Sequence, residues 1–172
     1  HSFYWFLLQP EEQGVAAAES VARPEMLPLF EVADDWRELF SGARLRRFEK
    51  ALPDFLSTQR WFGEKSRRIK NAAVRDRVLF RYGTATAFVP FVQIAFMDGG
   101  TEFYLLPLTY IPESQANPII NAYPAALIGR VKIQSRVEQG YLADAATSDE
   151  FANGLLRLLT QQGRAKPRGR EG

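Results

Sequence analysis

A chain of 172 residues with 46% apolar, 13% aromatic and 24% charged side chains is long enough to bury one core and too apolar to stay disordered. Its 22 basic and 20 acidic residues leave a net charge of +2, too little to point to a nucleic-acid or membrane partner. With no cysteine and a single histidine, His1, the sequence excludes a disulfide, a thiolate nucleophile, the usual zinc sites and a Ser-His-Asp triad within this chain.

The chain opens on Phe3-Tyr4-Trp5-Phe6-Leu7-Leu8, an apolar run without polar alternation, which predicts a strand over residues 1–9 buried on both faces. The run falls far short of the roughly 20 residues a membrane span needs. No basic stretch or small-residue cleavage site accompanies it, so a cytoplasmic protein is expected. Such a strand needs a partner: it could join this domain's own sheet, or pair between copies to give a homo-oligomer through residues 3–8. With no methionine at its start, the chain reads as a piece of a longer polypeptide. Residues 10–33 hold Glu11-Glu12, Gly14, an Ala16-Ala17-Ala18 run and prolines, a linker composition, with a domain boundary near residue 28.

From Asp34, a plausible N-cap, the pattern turns helical: Trp36, Leu39 and Phe40 share a face and Gly42 supplies a stop. A second helix carries Leu45, Phe48 and Leu52 on one face and Arg44, Arg46, Arg47, Glu49 and Lys50 on the other. Pro53 then suits the first turn of a short continuation through Gln59. After Arg68 the period shifts toward two, and residues 73–81, 85–97 and 101–111 read as consecutive strands. Tyr82-Gly83-Thr84 turns the first pair, and Asp98-Gly99-Gly100 predicts an antiparallel hairpin between the second and third. Residues 112–124 form a loop, 125–133 and 139–144 two further strands. A last helix is capped by Thr147 or Ser148, with Phe151, Leu155, Leu156, Leu158 and Leu159 as its apolar face and Gly163 as its end. Residues 164–172 read as a disordered basic tail; four cations without aromatics describe a linker better than a nucleic-acid contact. A helix followed by a meander of antiparallel strands is a two-layer α+β arrangement.

The run Gln59-Arg60-Trp61-Phe62-Gly63-Glu64-Lys65-Ser66-Arg67, preceded by Leu52-Pro53, resembles the opening motif of the N-terminal cap of bacterial maltokinases. The likeness continues in Asp98-Gly99-Gly100-Thr101-Glu102-Phe103-Tyr104, in Gly140-Tyr141-Leu142-Ala143-Asp144-Ala145 and in the helix from Phe151 to Leu159, so that residues 34–163 are covered. Phe3-Tyr4-Trp5-Phe6 resembles the last strand of the β-domain that closes trehalose synthase. Together the two resemblances imply the junction of a fused trehalose synthase and maltokinase, with a cystatin-like fold for the cap. They imply a parent kinase that uses ATP and magnesium to convert maltose to maltose 1-phosphate, beside maltose–trehalose interconversion. The partners implied are the rest of the maltokinase and the trehalose synthase domain. The phosphate cradle, nucleotide lysine and acidic magnesium ligands of such a kinase are expected outside this chain, which by itself carries no catalytic, cofactor or metal residue.

Gln59, Arg60, Trp61, Phe62, Gly63, Lys65 and Arg67 are the candidate structural or docking residues, with Trp61 expected as the plug between helix and sheet. The cations Arg60, Lys65, Arg67 and Arg68, with Lys70, could form an anion site, but a solvated collar around a buried anchor is the simpler reading. Lys132 ends a strand as a kinase lysine does, yet no glycine-rich loop precedes it, and it reads as a solvated strand residue. Protease inhibition of the cystatin kind would need Gln-x-Val-x-Gly, which does not occur. The alternative function is a carbohydrate-binding or assembly module of an amylase-family enzyme, with Trp5, Trp36 or Trp61 as a sugar platform; it requires one of these tryptophans to face solvent.

Overall fold

In the computed structural model, which describes residues 24–83 and 85–162, one 17-residue helix, α1 (Gly42–Thr58), lies against a seven-stranded sheet. The strand expected over 1–9, its pairing between copies, most of the expected linker, Gly163 and the tail over 164–172 lie outside the described residues. The strands are β1 (Leu29–Val32), β2 (Ile69–Tyr82), β3 (Ala85–Phe96), β4 (Thr101–Leu105), β5 (Leu108–Pro112), β6 (Leu127–Ile133) and β7 (Glu138–Asp144). They run in the order β1-β6-β7-β5-β3-β2, with β4 also paired to β3. The fold is α+β as expected, with one difference in the sheet. β1 runs parallel to β6, Leu29 opposite Arg130 and Val32 opposite Ile133, so the sheet is mixed and residues 29–32 of the expected linker form its edge.

Helix α1 forms because Phe48, Leu52, Phe55 and Leu56 recur at helical spacing, and all four are buried. Pro53 lies inside this helix instead of opening a separate one. Its missing N–H costs about 3 kcal/mol in a helix interior, but breaking there would part Leu52 from Phe55 and Leu56, whose combined burial is worth more. The helix expected from Asp34 is a single 3-10 turn, Trp36–Phe40, and its cap is Asp35. The Asp35 carboxylate accepts the N–H of Arg37 at 2.8 Å, while Glu38, three residues on, accepts the N–H groups of Asp34 and Asp35 at 2.8 and 3.0 Å. That reciprocal closure is available to Asp35 and not to Asp34.

The inner face of the sheet presents Phe88, Val92, Ile94 and Phe96 of β3, Leu108 of β5, Val131 and Ile133 of β6 and Leu142 of β7 to α1, in one core with Phe40 and Phe62. Phe40 stacks on Phe88 with ring centroids 4.0 Å apart and meets Phe48 edge-on at 5.1 Å. Trp36 packs beside them, 6.0 Å from Phe40. Glu49 of α1 accepts the N–H of Val74 at 2.8 Å where β2 bulges: Val74 faces Val92 and Asp76 faces Phe91, leaving Arg75 as the extra residue.

Both expected hairpins are present. Gly99 and Gly100 hold φ of +94° and +78°, the left-handed values a tight turn between β3 and β4 demands. The run expected as one strand over 101–111 divides into β4 and β5 at Leu106-Pro107. Pro107 has no N–H to extend the ladder; its carbonyl accepts Ala145 N–H at 2.9 Å, and Leu106 N–H reaches the Pro90 carbonyl at 3.2 Å. The loop expected over 112–124 contains a short helix, α2 (Asn117–Ala122), with Pro118 in its first turn.

The outer face is covered only in part. Helix α3 (Asp149–Gln162), whose first turn hydrogen-bonds Ser148 Oγ, lays Phe151 edge-on to Phe80 and Tyr82 at 5.5 and 5.3 Å. Gly154 permits that approach, since a Cβ there would meet Tyr82 Cβ at 2.6 Å. Of the apolar face expected for α3, Phe151 alone is buried; Leu155, Leu156, Leu158 and Leu159 stand exposed because no other described element packs over them. No described helix is long and apolar enough to cross a membrane.

Candidate functional site

The motif loop leaves α1 at its C-terminus and returns to the sheet at Ile69, and its residues part company on the way. Gln59 is buried and acts as a clamp: Nε2 donates to the Phe55 carbonyl at 3.3 Å, to Thr58 Oγ1 at 3.0 Å and to the Ala125 carbonyl at 2.8 Å. That last bond spans 66 residues and ties the end of α1 to the turn before β6. Phe62 is the plug, its ring 5.2 Å from Tyr104 inside the core. Trp61, expected in that role, is 45% exposed. Its indole exerts a small downward pull on the Asp144 carboxyl, and its ring lies 6.1 Å from Tyr104. Gly63 is exposed with open space where a Cβ would stand.

The loop's cations divide: Lys65, Arg67 and Arg68 line one open cavity of about 230 Å³ with Asp54 and Ser57, while Arg60 lines a different one. Arg67 makes a fork to Asp98, Nε to Oδ2 at 2.9 Å and Nη2 to Oδ1 at 2.8 Å, and lies over the Phe96 ring at 3.9 Å. Its guanidinium holds the Asp98 carboxyl below the usual carboxylate range. Arg67 therefore fastens the motif loop to the β3–β4 turn, while Lys65 and Arg68 stand exposed in solvent and Arg60 faces the other way. Lys65 and Arg68 are exposed, and Arg67 is a structural tie.

On the side away from Arg67, the loop forms one wall of a cleft of about 550 Å³. Gln59, Arg60 and Trp61 face residues 122–126 and the segment from Asp144 to Thr147. Asp144 is 4% exposed; burial pushes its carboxyl up from the ordinary value, against the opposing pull of the Ala146 N–H at 2.9 Å and the Trp61 indole. Tyr123 is the second half-exposed aromatic on this cleft. Sequence reasoning passed over both residues. Asp144 read as a strand end, although an acid closing an apolar strand just before a capped turn marks a buried carboxylate; Tyr123 lay in a segment read as loop.

A second cavity, about 480 Å³ and lined wholly by apolar residues, opens on the outer face between α3 and the sheet. Val78, Leu105, Phe151 and Leu155 are among its walls. Beside it Phe91 stacks on Phe103 at 5.2 Å, both partly exposed, and Leu105 is 64% exposed.

A family model described as the maltokinase N-terminal cap domain matches residues 55–147, more than half of the chain. The chain belongs to this family. The match takes in the motif loop, β2 to β7 and both walls of the Trp61 cleft, and stops before α3. Comparisons with curated proteins and with solved structures gave no match. As a maltokinase cap the chain is part of a larger maltokinase polypeptide.

Proposed function

We propose that this cap is a non-catalytic accessory domain that docks on the body of its maltokinase through the outer face of the sheet. The observation that carries the reading is the apolar surface formed by Val78, Phe91, Phe103 and Leu105 with Leu155 of α3, each between 39% and 64% exposed in the cap alone. Apolar patches of this kind mark interaction sites, and a domain defined as a cap has its remaining polypeptide as the natural cover. The motif loop is the weaker docking candidate, because Phe62 is core and Arg67 is spent on Asp98.

In this reading the parent enzyme phosphorylates maltose to maltose 1-phosphate with ATP and magnesium, in the cytoplasm, as one half of a trehalose synthase fusion. A cystatin-like description of the cap suits one long helix held in a largely antiparallel sheet. Among the described residues no three or more metal-ligating side chains gather, and no glycine-rich loop precedes Lys132. In this reading ATP and magnesium belong to the kinase body.

The test is maltose phosphorylation by the complete polypeptide, by this chain alone and by a version lacking residues 34–163. Activity in the first, none in the second and a reduced rate in the third is the expected pattern. A complete polypeptide that leaves maltose unphosphorylated would overturn the kinase assignment.

A further inference from the structure

We infer that the cleft beside Trp61 is a binding site for a neutral sugar, separate from the apolar docking face. Three features argue for this ligand class. The first is size: about 550 Å³ lies within the roughly 300–1,000 Å³ of small-molecule sites. The second is the pairing of two aromatic side chains, Trp61 at 45% and Tyr123 at 53% exposure, on one concave surface. The apolar CH faces of a pyranose pack against such rings, and the Trp61 ring is backed by Tyr104, 6.1 Å away. The third is charge. The cleft is lined by one cation, Arg60, and one carboxylate, Asp144, so it offers no excess field for an anion such as a phosphate. The donors of Thr58, Gln59 and Thr147 are given to acceptors within the chain, so what the cleft offers between its apolar stretches is hydroxyl, amide and carboxylate oxygens, acceptors for the O–H groups of a polyol.

The contrast with the outer-face cavity supports the division of labour. That cavity is lined wholly by apolar side chains and could satisfy none of a sugar's hydroxyls. The Trp61 cleft is also well braced: the Gln59 bond to Ala125 joins its two walls, and Asp144 and Thr147 are locked by Ala146 N–H and the Asp144 carbonyl at 2.9 and 2.8 Å. A braced wall loses little freedom on binding.

Maltose is the probe; its choice rests on the family reading, whereas the cleft chemistry stands without it. Calorimetric titration of the 172-residue chain with maltose should give saturable heat with millimolar affinity. Trp61→Ala should weaken that affinity by roughly tenfold and Tyr123→Ala by roughly threefold, with circular dichroism and thermal midpoint of Tyr123→Ala unchanged, since its ring is exposed. The absence of saturable heat in the unaltered chain would overturn the proposal, as would binding that both variants leave intact, or tighter binding of inorganic phosphate than of maltose. Because this titration omits the kinase body, its failure alongside maltose phosphorylation by the complete polypeptide would sink the cleft and leave the kinase reading standing.

Discussion

Phe62 and Gly63 are neighbours in the motif and make opposite demands. Phe62 is sealed in the core against Tyr104, so Phe62→Ala removes a whole ring from a packed site and should cost about 3–5 kcal/mol in urea denaturation. Gly63 has no positive φ and open space around its missing Cβ, so Gly63→Ala should leave stability unchanged or raise it by up to about 1 kcal/mol by stiffening the unfolded chain. Asp144 makes a different prediction, in pH. Burial raises its carboxyl in the folded state, so the group favours folding fully below its unfolded value of about 4, and that contribution is lost as pH rises through the folded value. Asp98, held low by Arg67, works in the reverse sense: its contribution is present above about pH 4 and lost as pH falls through its folded value. Asp144→Asn keeps an oxygen for the Ala146 N–H and removes the first dependence alone. The stability difference between variant and parent should therefore move in the variant's favour from pH 4 to neutrality; a flat difference would show that Asp144 is not strained by burial.

At the scale of elements, glycines mark where one strand crosses close to another. A Cβ at Gly140 of β7 would meet the Ile111 carbonyl of β5 at 2.4 Å and the Tyr110 ring at 2.7 Å, neither of which is a free end. Gly140→Ala should therefore cost about 1–3 kcal/mol by thermal or urea unfolding, in contrast to Gly63→Ala. Such contacts also show why some elements were legible in the sequence and others were not. Helix α1 and the Asp98-Gly99-Gly100 hairpin carry their signals locally, in apolar spacing and in two glycines at the turn. Strand β1 carries none: four residues next to a proline-rich stretch become a strand only because β6, a hundred positions away in the chain, offers a free edge. The break at Pro107 was readable, since proline interrupts a ladder, but the alternating residues on both sides masked it. Trp61 was misplaced for a related reason. Two adjacent aromatics leaving a helix cannot both point inward, and composition does not say which does; the smaller, wholly apolar Phe62 took the core and the tryptophan, with its polar N–H, stayed half-exposed. The exposed leucines of α3 mark the other limit, because helical periodicity announces an apolar stripe without saying which polypeptide covers it.

For the molecule as a whole, that uncovered stripe and the outer face of β2, β3 and β4 decide how the cap meets its enzyme. Phe91 and Phe103 stack on each other with part of both rings in solvent, an arrangement that leaves apolar area in water at about 25 cal/mol per Å² until something covers it. If the kinase body is that cover, hydroxyl-radical footprinting should oxidise Phe91, Phe103 and Leu105 readily in this chain and several-fold more slowly in the complete maltokinase. Trp61 and Tyr123, on the separate cleft, should react alike in both. Leu105→Glu places a charge on the docking face at a largely exposed position of the sheet, not in the core. It should leave the cap's unfolding within about 0.5 kcal/mol of the parent while restoring radical access to Phe103 in the complete polypeptide and lowering its rate of maltose phosphorylation. Equal oxidation of Phe103 with and without the kinase body would remove the outer face from consideration, since a surface that stays as wet in the whole enzyme as in the isolated cap is not the one through which the cap is held.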